Sequence, residues 1–129
     1  MNFIKGYHHV ALFVQDSQKT LEFYKNLGAK EVFSFPRLDD KSKTIYLVNL
    51  GGDAIVEIVP KGTGEAENNA RWAHIALKTD DTKAAYEFAL KNGAKSKTPP
   101  QDIMLGTKPV CNAFVFGYDG ETIEFFQEK

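Results

Sequence analysis

Cysteine is nearly absent from this chain: Cys111 is the single one in 129 residues, which excludes an internal disulfide framework and any cluster of thiolates around zinc. Arginine is scarce as well. Of 16 basic residues only Arg37 and Arg71 are arginine, so the planar forks that grip phosphate or carboxylate at two points are few. With a net charge of -1 there is no field to attract a polyanion. Nucleic acid and anionic membrane are therefore not expected partners, and a small-molecule substrate is. No apolar run nears the roughly 20 residues that a bilayer span needs. The opening MNFIKGYHHV lacks the charged-then-apolar order of a secretion signal, so the cytoplasm is the expected compartment. The glycines of PKGTGE lie outside any strand-loop-helix context, which excludes a phosphate-binding loop.

What the chain does have is a repeat. Positions 9 to 30, HVALFVQDSQKTLEFYKNLGAK, lie over positions 74 to 95, HIALKTDDTKAAYEFALKNGAK, without a gap, and 9 of the 22 pairs are identical. Further on, AIVEIV (54 to 59) lies over ETIEFF (121 to 126), which pairs Glu57 with Glu124. A unit near 60 residues is marginal alone, so the two copies are expected to form one domain, 1 to 129, with a shared core. Module 1 covers about 5 to 60 and module 2 about 71 to 129, joined by the polar loop 60 to 70.

Each module reads as strand, helix and three strands. YHHVALFV (7 to 14) is short, apolar and β-branched, as a buried strand requires. Asp16 or Ser17 caps a helix running through about Asn26, with Leu21, Tyr24 and Leu27 as its apolar stripe and Gly28 as its stop. KEVFSFPR (30 to 37), KTIYLVNL (43 to 50) and AIVEIV (54 to 59) follow as strands, parted by DDKS and GGD turns. The second copy gives a strand at 72 to 79, a helix at 82 to 92 stopped by Gly93, a short strand at 94 to 98, and strands near 110 to 117 and 122 to 127. PPQDIMLGTK (99 to 108) interrupts the repeat with two prolines and is expected to be a long connection able to close over a ligand.

Glu57, inside AIVEIV, and Glu124, inside TIEFF, fall in the middle of strands that otherwise read as buried. An unpaired carboxylate there costs several kcal/mol, and a divalent cation offsets that. The repeat places one histidine, His9 or His74, in each copy as well. Two neutral imidazoles and two carboxylates cancel one M²⁺, and this N/O donor set suits Ni²⁺, Co²⁺, Zn²⁺ or Fe²⁺. The expected metal ligands are thus His9, Glu57, His74 and Glu124, with coordination positions left for substrate oxygens. His8 aligns with Ala73 and points to the other strand face, so it reads as structural, and Cys111 has no equivalent in the other copy and no neighbouring base.

The order HVALFVQD, LEFYKNLGA, AIVEI, HIALKTDD, FGYDGETIEFF resembles the vicinal oxygen chelate superfamily over almost the whole chain. Within it the set His9, Glu57, His74, Glu124 looks like that of the short bacterial glyoxalase I (lactoylglutathione lyase) family. The resemblance implies an α+β fold in which two tandem βαβββ modules form an open, cupped, mixed β-sheet barrel, the glyoxalase/bleomycin resistance/dioxygenase fold, around one divalent ion, Ni²⁺ foremost with Zn²⁺ or Co²⁺ as alternatives. It also implies a lyase that isomerises a methylglyoxal-thiol hemithioacetal to an S-lactoyl thioester, a methylglyoxal detoxification, with Glu124 as the base, Glu57 in the mirror-image role, the histidines holding the metal, and a homodimer. Relatives with other chemistry stay open as alternatives: an epimerase of the methylmalonyl-CoA type, which tends to carry glutamine at the position of Glu57, an extradiol-type dioxygenase, or a metal-independent binding or resistance protein. Two positions depart from the glutathione-using pattern, which places an arginine where this chain has Phe13 and an asparagine where it has Lys61. Arg71, Lys61 and Lys108 are the nearest basic residues in sequence and are expected at the solvated surface.

Overall fold

The computed structural model describes residues 2–61, 71–117 and 120–129. The chain divides into two compact units, one made of residues 9–73 and the other of residues 1–8 with 74–129. Both are βαβββ, and the α+β fold expected from the repeat is the one found. The polar connection expected at 60 to 70 lies, from position 62 on, outside the described residues.

In the first module β1 (Gly6–Val14) leads into α1 (Ser17–Asn26), followed by β2 (Lys30–Pro36), β3 (Thr44–Asn49) and β4 (Ile55–Pro60). β4 pairs antiparallel with β3, which pairs antiparallel with β2, and β1 closes on β4 in parallel. Alternation along these strands sends Leu12, Val14, Val48, Val56 and Ile58 to one face, where they bury Leu21 of α1 and pack against Tyr24. The other face carries His9, Ala11 and Glu57. Leu27 was expected on the apolar stripe of the helix but is 71% exposed. It is the C-cap residue, beyond the last turn that the sheet covers.

The second module repeats the plan with β5 (Arg71–Lys78), α2 (Thr82–Lys91), β6 (Lys95–Leu105), β7 (Lys108–Phe116) and β8 (Thr122–Glu128). β5 closes on β8 in parallel, and β8, β7 and β6 are antiparallel neighbours. Ala85 of α2 packs with Val115 and Phe125 on one face of this sheet. Here the sequence expectation fails in one place. PPQDIMLGTK is no lid: Pro99 to Leu105 extend β6 to 11 residues, and a two-residue turn at Gly106 and Thr107 returns the chain as β7. The prolines are accommodated because β6 is the outer strand of its sheet and the register slips between Thr98 and Gln101, where missing N–H groups break no ladder.

Phe3, Lys5 and His8 pack with the second unit. Lys5 N–H donates to the Lys78 carbonyl at 2.8 Å, the Phe3 and Phe88 rings lie 5.1 Å apart, and His8 pairs with Glu128 at 2.8 Å while stacking on Phe126. His8 is structural, as expected. No helix among the described residues is long and apolar enough to cross a membrane.

Candidate metal centre

The parallel strand pairs build the same half-site twice. In the first module Ala11 of β1 lies beside Glu57 of β4, and His9 precedes Ala11 by one pleat on the same face. In the second, Ala76 of β5 lies beside Glu124 of β8, with His74 one pleat before it. A parallel ladder sets same-face neighbours side by side, so each histidine and glutamate must meet. His9 Nε2 lies 3.5 Å from Glu57 Oε1, and His74 Nε2 lies 3.1 Å from Glu124 Oε1. His9 (1% exposed), Glu57 (8%) and Glu124 (3%) are buried. Of the four expected ligands, His9 and Glu57 are thus brought together in the first module, and His74 and Glu124 in the second.

These separations suit a shared cation. An ion binding one nitrogen and one oxygen at about 2.1 Å holds them about 3.0 Å apart at a right angle and about 3.4 Å apart in a tetrahedron. Imidazole nitrogen with carboxylate oxygen is a donor set for Ni²⁺, Co²⁺, Zn²⁺ or Fe²⁺ rather than for softer thiolate chemistry. The neighbouring alanines have no exposed surface and carry only a methyl group toward each carboxylate, which leaves the side chains room to turn.

The second half-site has polar support that sequence reading missed. Asn112 of β7, 4% exposed, donates from Nδ2 to Glu124 Oε2 at 2.9 Å, and Gln101 of β6 donates from Nε2 to Asn112 Oδ1 at 3.0 Å. The signal for Asn112 was present: it is a polar residue inside the apolar strand VCNAF, the same anomaly that marked the glutamates. Gln101 could be found only once 99 to 105 was recognised as strand. The Phe114 and His74 rings meet nearly at right angles, centroids 5.3 Å apart, which restrains the plane of the imidazole.

Other singled-out residues fall elsewhere. Lys61 is not at the surface: it is 7% exposed, its N–H donates to the Val14 carbonyl at 2.9 Å, and its carbonyl accepts from Lys43 Nζ at 2.6 Å. It continues the parallel pairing of β1 with β4, which carries its backbone inward. Lys108 is exposed and 3.8 Å from Glu128. Phe13 is half-buried. Cys111 is a free thiol whose carbonyl accepts from Thr82 Oγ1 at 2.9 Å. The side chain of Arg71 lies outside what the structure describes.

Comparison with known proteins agrees with this plan. A lactoylglutathione lyase from Shigella flexneri is 26% identical over 125 residues, which is 94% of this chain and 91% of that protein. The crystal structure of a methylmalonyl-CoA epimerase from Mycobacterium tuberculosis superposes over 100% of this chain and 91% of its own, with a TM-score of 0.79 at 19% identity. A Mn(II)-bound glyoxalase from Novosphingobium aromaticivorans superposes over 98% of this chain and 40% of its own, with a TM-score of 0.72 at 16% identity. The family described as the Glyoxalase/Bleomycin resistance protein/Dioxygenase superfamily matches residues 6–125. The repeated βαβββ plan and the match over nearly the whole chain lead to one conclusion: the chain belongs to the Glyoxalase/Bleomycin resistance protein/Dioxygenase superfamily, the vicinal oxygen chelate group that its motifs resemble.

Proposed function

We propose that this protein is a divalent-metal-dependent lyase of the glyoxalase I type, converting the hemithioacetal of methylglyoxal and a thiol into an S-lactoyl thioester. The observation that carries the reading is the buried histidine-glutamate pair that recurs at the same register in both modules. In this proposal His9, Glu57, His74 and Glu124 together hold one ion, Ni²⁺ in the first instance and Zn²⁺ or Co²⁺ otherwise. Such an ion supplies positive charge that favours negative charge developing on nearby substrate oxygens.

The chain's own groups do the rest. Glu124 takes the proton from the carbon that bears sulfur and hydroxyl, and returns it to the adjacent former ketone carbon, while the hydroxyl proton moves to the other oxygen. One C–H bond breaks and one forms, so the reaction is an isomerisation with no co-reactant. Glu57 serves as the mirror-image carboxylate, and the two imidazoles hold position. Phe13 offers no charge to a carboxylate, and Lys61 stands where the glutathione-using pattern has an asparagine and could replace only part of its grip, which favours a thiol other than glutathione. A cytoplasmic homodimer is part of the same proposal, on the ground of its resemblance to this superfamily and its single free thiol.

A second reading, an epimerase of the methylmalonyl-CoA type, is favoured by the likeness in fold to that enzyme at a TM-score of 0.79. It too moves a proton at a carbon next to a carbonyl. The two separate in one assay series. Untagged, metal-loaded protein is offered methylglyoxal with glutathione, cysteine and coenzyme A in turn, and methylmalonyl-CoA in D₂O. Thioester from any thiol is the expected result. No thioester with all of them, together with deuterium entering methylmalonyl-CoA, sinks the lyase reading, and a protein that binds no divalent ion sinks both.

A further inference from the structure

The two half-sites match in their histidine, glutamate and alanine, and differ in what stands behind the glutamate. Glu57 is faced across the ladder by Leu47 of β3, and Glu124 by Phe114 of β7. Two residues before each facing residue, on the same face, come Ile45 and Asn112. Their partners on the outer strands are Phe35 and Gln101. One copy therefore backs its carboxylate with an isoleucine and a phenylalanine, and the other with two amides.

The amides are connected in one direction. Gln101 Nε2 donates to Asn112 Oδ1, so the atom that Asn112 turns to Glu124 is the donor Nδ2. That bond occupies Glu124 Oε2 and leaves Oε1 as the oxygen nearest His74 Nε2. The register slip at Pro99 and Pro100 is what brings Gln101 opposite Asn112.

We propose that Asn112, its amide held by Gln101, is a positioning residue that keeps Glu124 Oε2 away from the ion and so commits Glu124 to ligation through Oε1 alone. The inference rests on the reading that His74 and Glu124 are ligands of one ion. It divides the labour of the carboxylate: one oxygen stays tethered to the protein while the other serves the metal and the substrate. The equivalent positions beside Glu57 hold Ile45 and Phe35, so the Gln101–Asn112 amide relay belongs to the second module.

Co²⁺ is the probe, because its visible absorption reports the number and geometry of its ligands independently of any substrate. In Asn112→Ile, which installs the residue of the first module, the Co²⁺ bands shift as Oε2 joins the coordination. The kcat falls roughly ten- to a hundredfold, the span expected for losing a hydrogen bond to a charged group, with a smaller change in KM. Gln101→Leu, at an exposed residue of an outer strand, gives a shift of the same sign and smaller size, and decides the matter if Asn112→Ile does not fold. Wild-type Co²⁺ bands and wild-type Co²⁺ affinity in the folded variants overturn the inference. Altered bands in a protein that makes no thioester leave it standing while the lyase reading falls, and failure of the wild-type protein to bind Co²⁺ overturns both.

Discussion

Each glutamate of the proposed centre stands beside an alanine that has no exposed surface, with its histidine one pleat along the same neighbouring strand and Leu47 or Phe114 on the opposite side. Two expectations follow at this scale. Glu57→Gln removes a buried charge without changing shape, so the metal-free variant melts no lower than the metal-free wild type, whereas the rise in Tm on adding Ni²⁺ or Zn²⁺ shrinks sharply. Thermal scans with and without metal check this, and an equal metal-induced rise in both proteins would falsify the role of Glu57 as a ligand. Glu124→Gln loses far more kcat than metal affinity if Glu124 is the base, and equal losses make it a ligand only. The four residues were legible because duplication displayed each of them twice. Asn112 showed only as a polar residue inside an apolar strand and was passed over, because it occurs once and its counterpart is Ile45: a residue specific to one copy leaves no trace in a self-comparison. Lys61 was misplaced because its polarity suggested a loop, while its backbone continues the parallel pairing.

The helices carry matched ends. Asp16 accepts from Gln18 and Lys19 N–H groups, and Asp81 from the Ala84 N–H. At the other ends Ala29 N–H reaches the Tyr24 carbonyl and Ala94 N–H the Ala89 carbonyl, each across a glycine with positive φ, Gly28 at 111° and Gly93 at 102°. Asp81→Ala is expected to cost about 1 kcal/mol in urea unfolding, and Asp16→Ala a similar amount. At the β6-β7 turn Gly106 has φ 61°, the left-handed conformation that a first turn residue in a tight hairpin needs. Gly106→Ala is expected to destabilise by about 1 kcal/mol or more, and Thr107→Ala by much less. Element order and most boundaries were readable from caps and alternation. The lid expected at 99 to 108 was not there, because a Pro-Pro pair signals a break only where both edges of a strand must be paired, and neighbouring strands are invisible in a linear pattern.

At the scale of the molecule, the chain's first residues are tied to its last strand. His8 hydrogen-bonds Glu128, and this bond, aided by the charges of His8 and Lys108, holds the Glu128 carboxyl below its usual range despite partial burial. A carboxylate whose folded pKa is lowered contributes stability above its ordinary pKa and loses it as pH falls through the lowered one. The advantage of wild type over Glu128→Gln in urea unfolding is therefore present at neutral pH and fades on acidification below the usual glutamate range. A gap that stays constant or grows on acidification contradicts this assignment.

The parallel closure of each module has a kinetic side. β2-β3-β4 and β6-β7-β8 are meanders of sequential hairpins, whereas β1 meets β4, and β5 meets β8, only across the whole length of a module. Distant contacts carry the larger loop-closure entropy and form late. The imidazole and the carboxylate of each pair sit on those late-joining strands, so a chain caught halfway through folding presents no ready chelate, and a free cation encountered early finds nothing to seize.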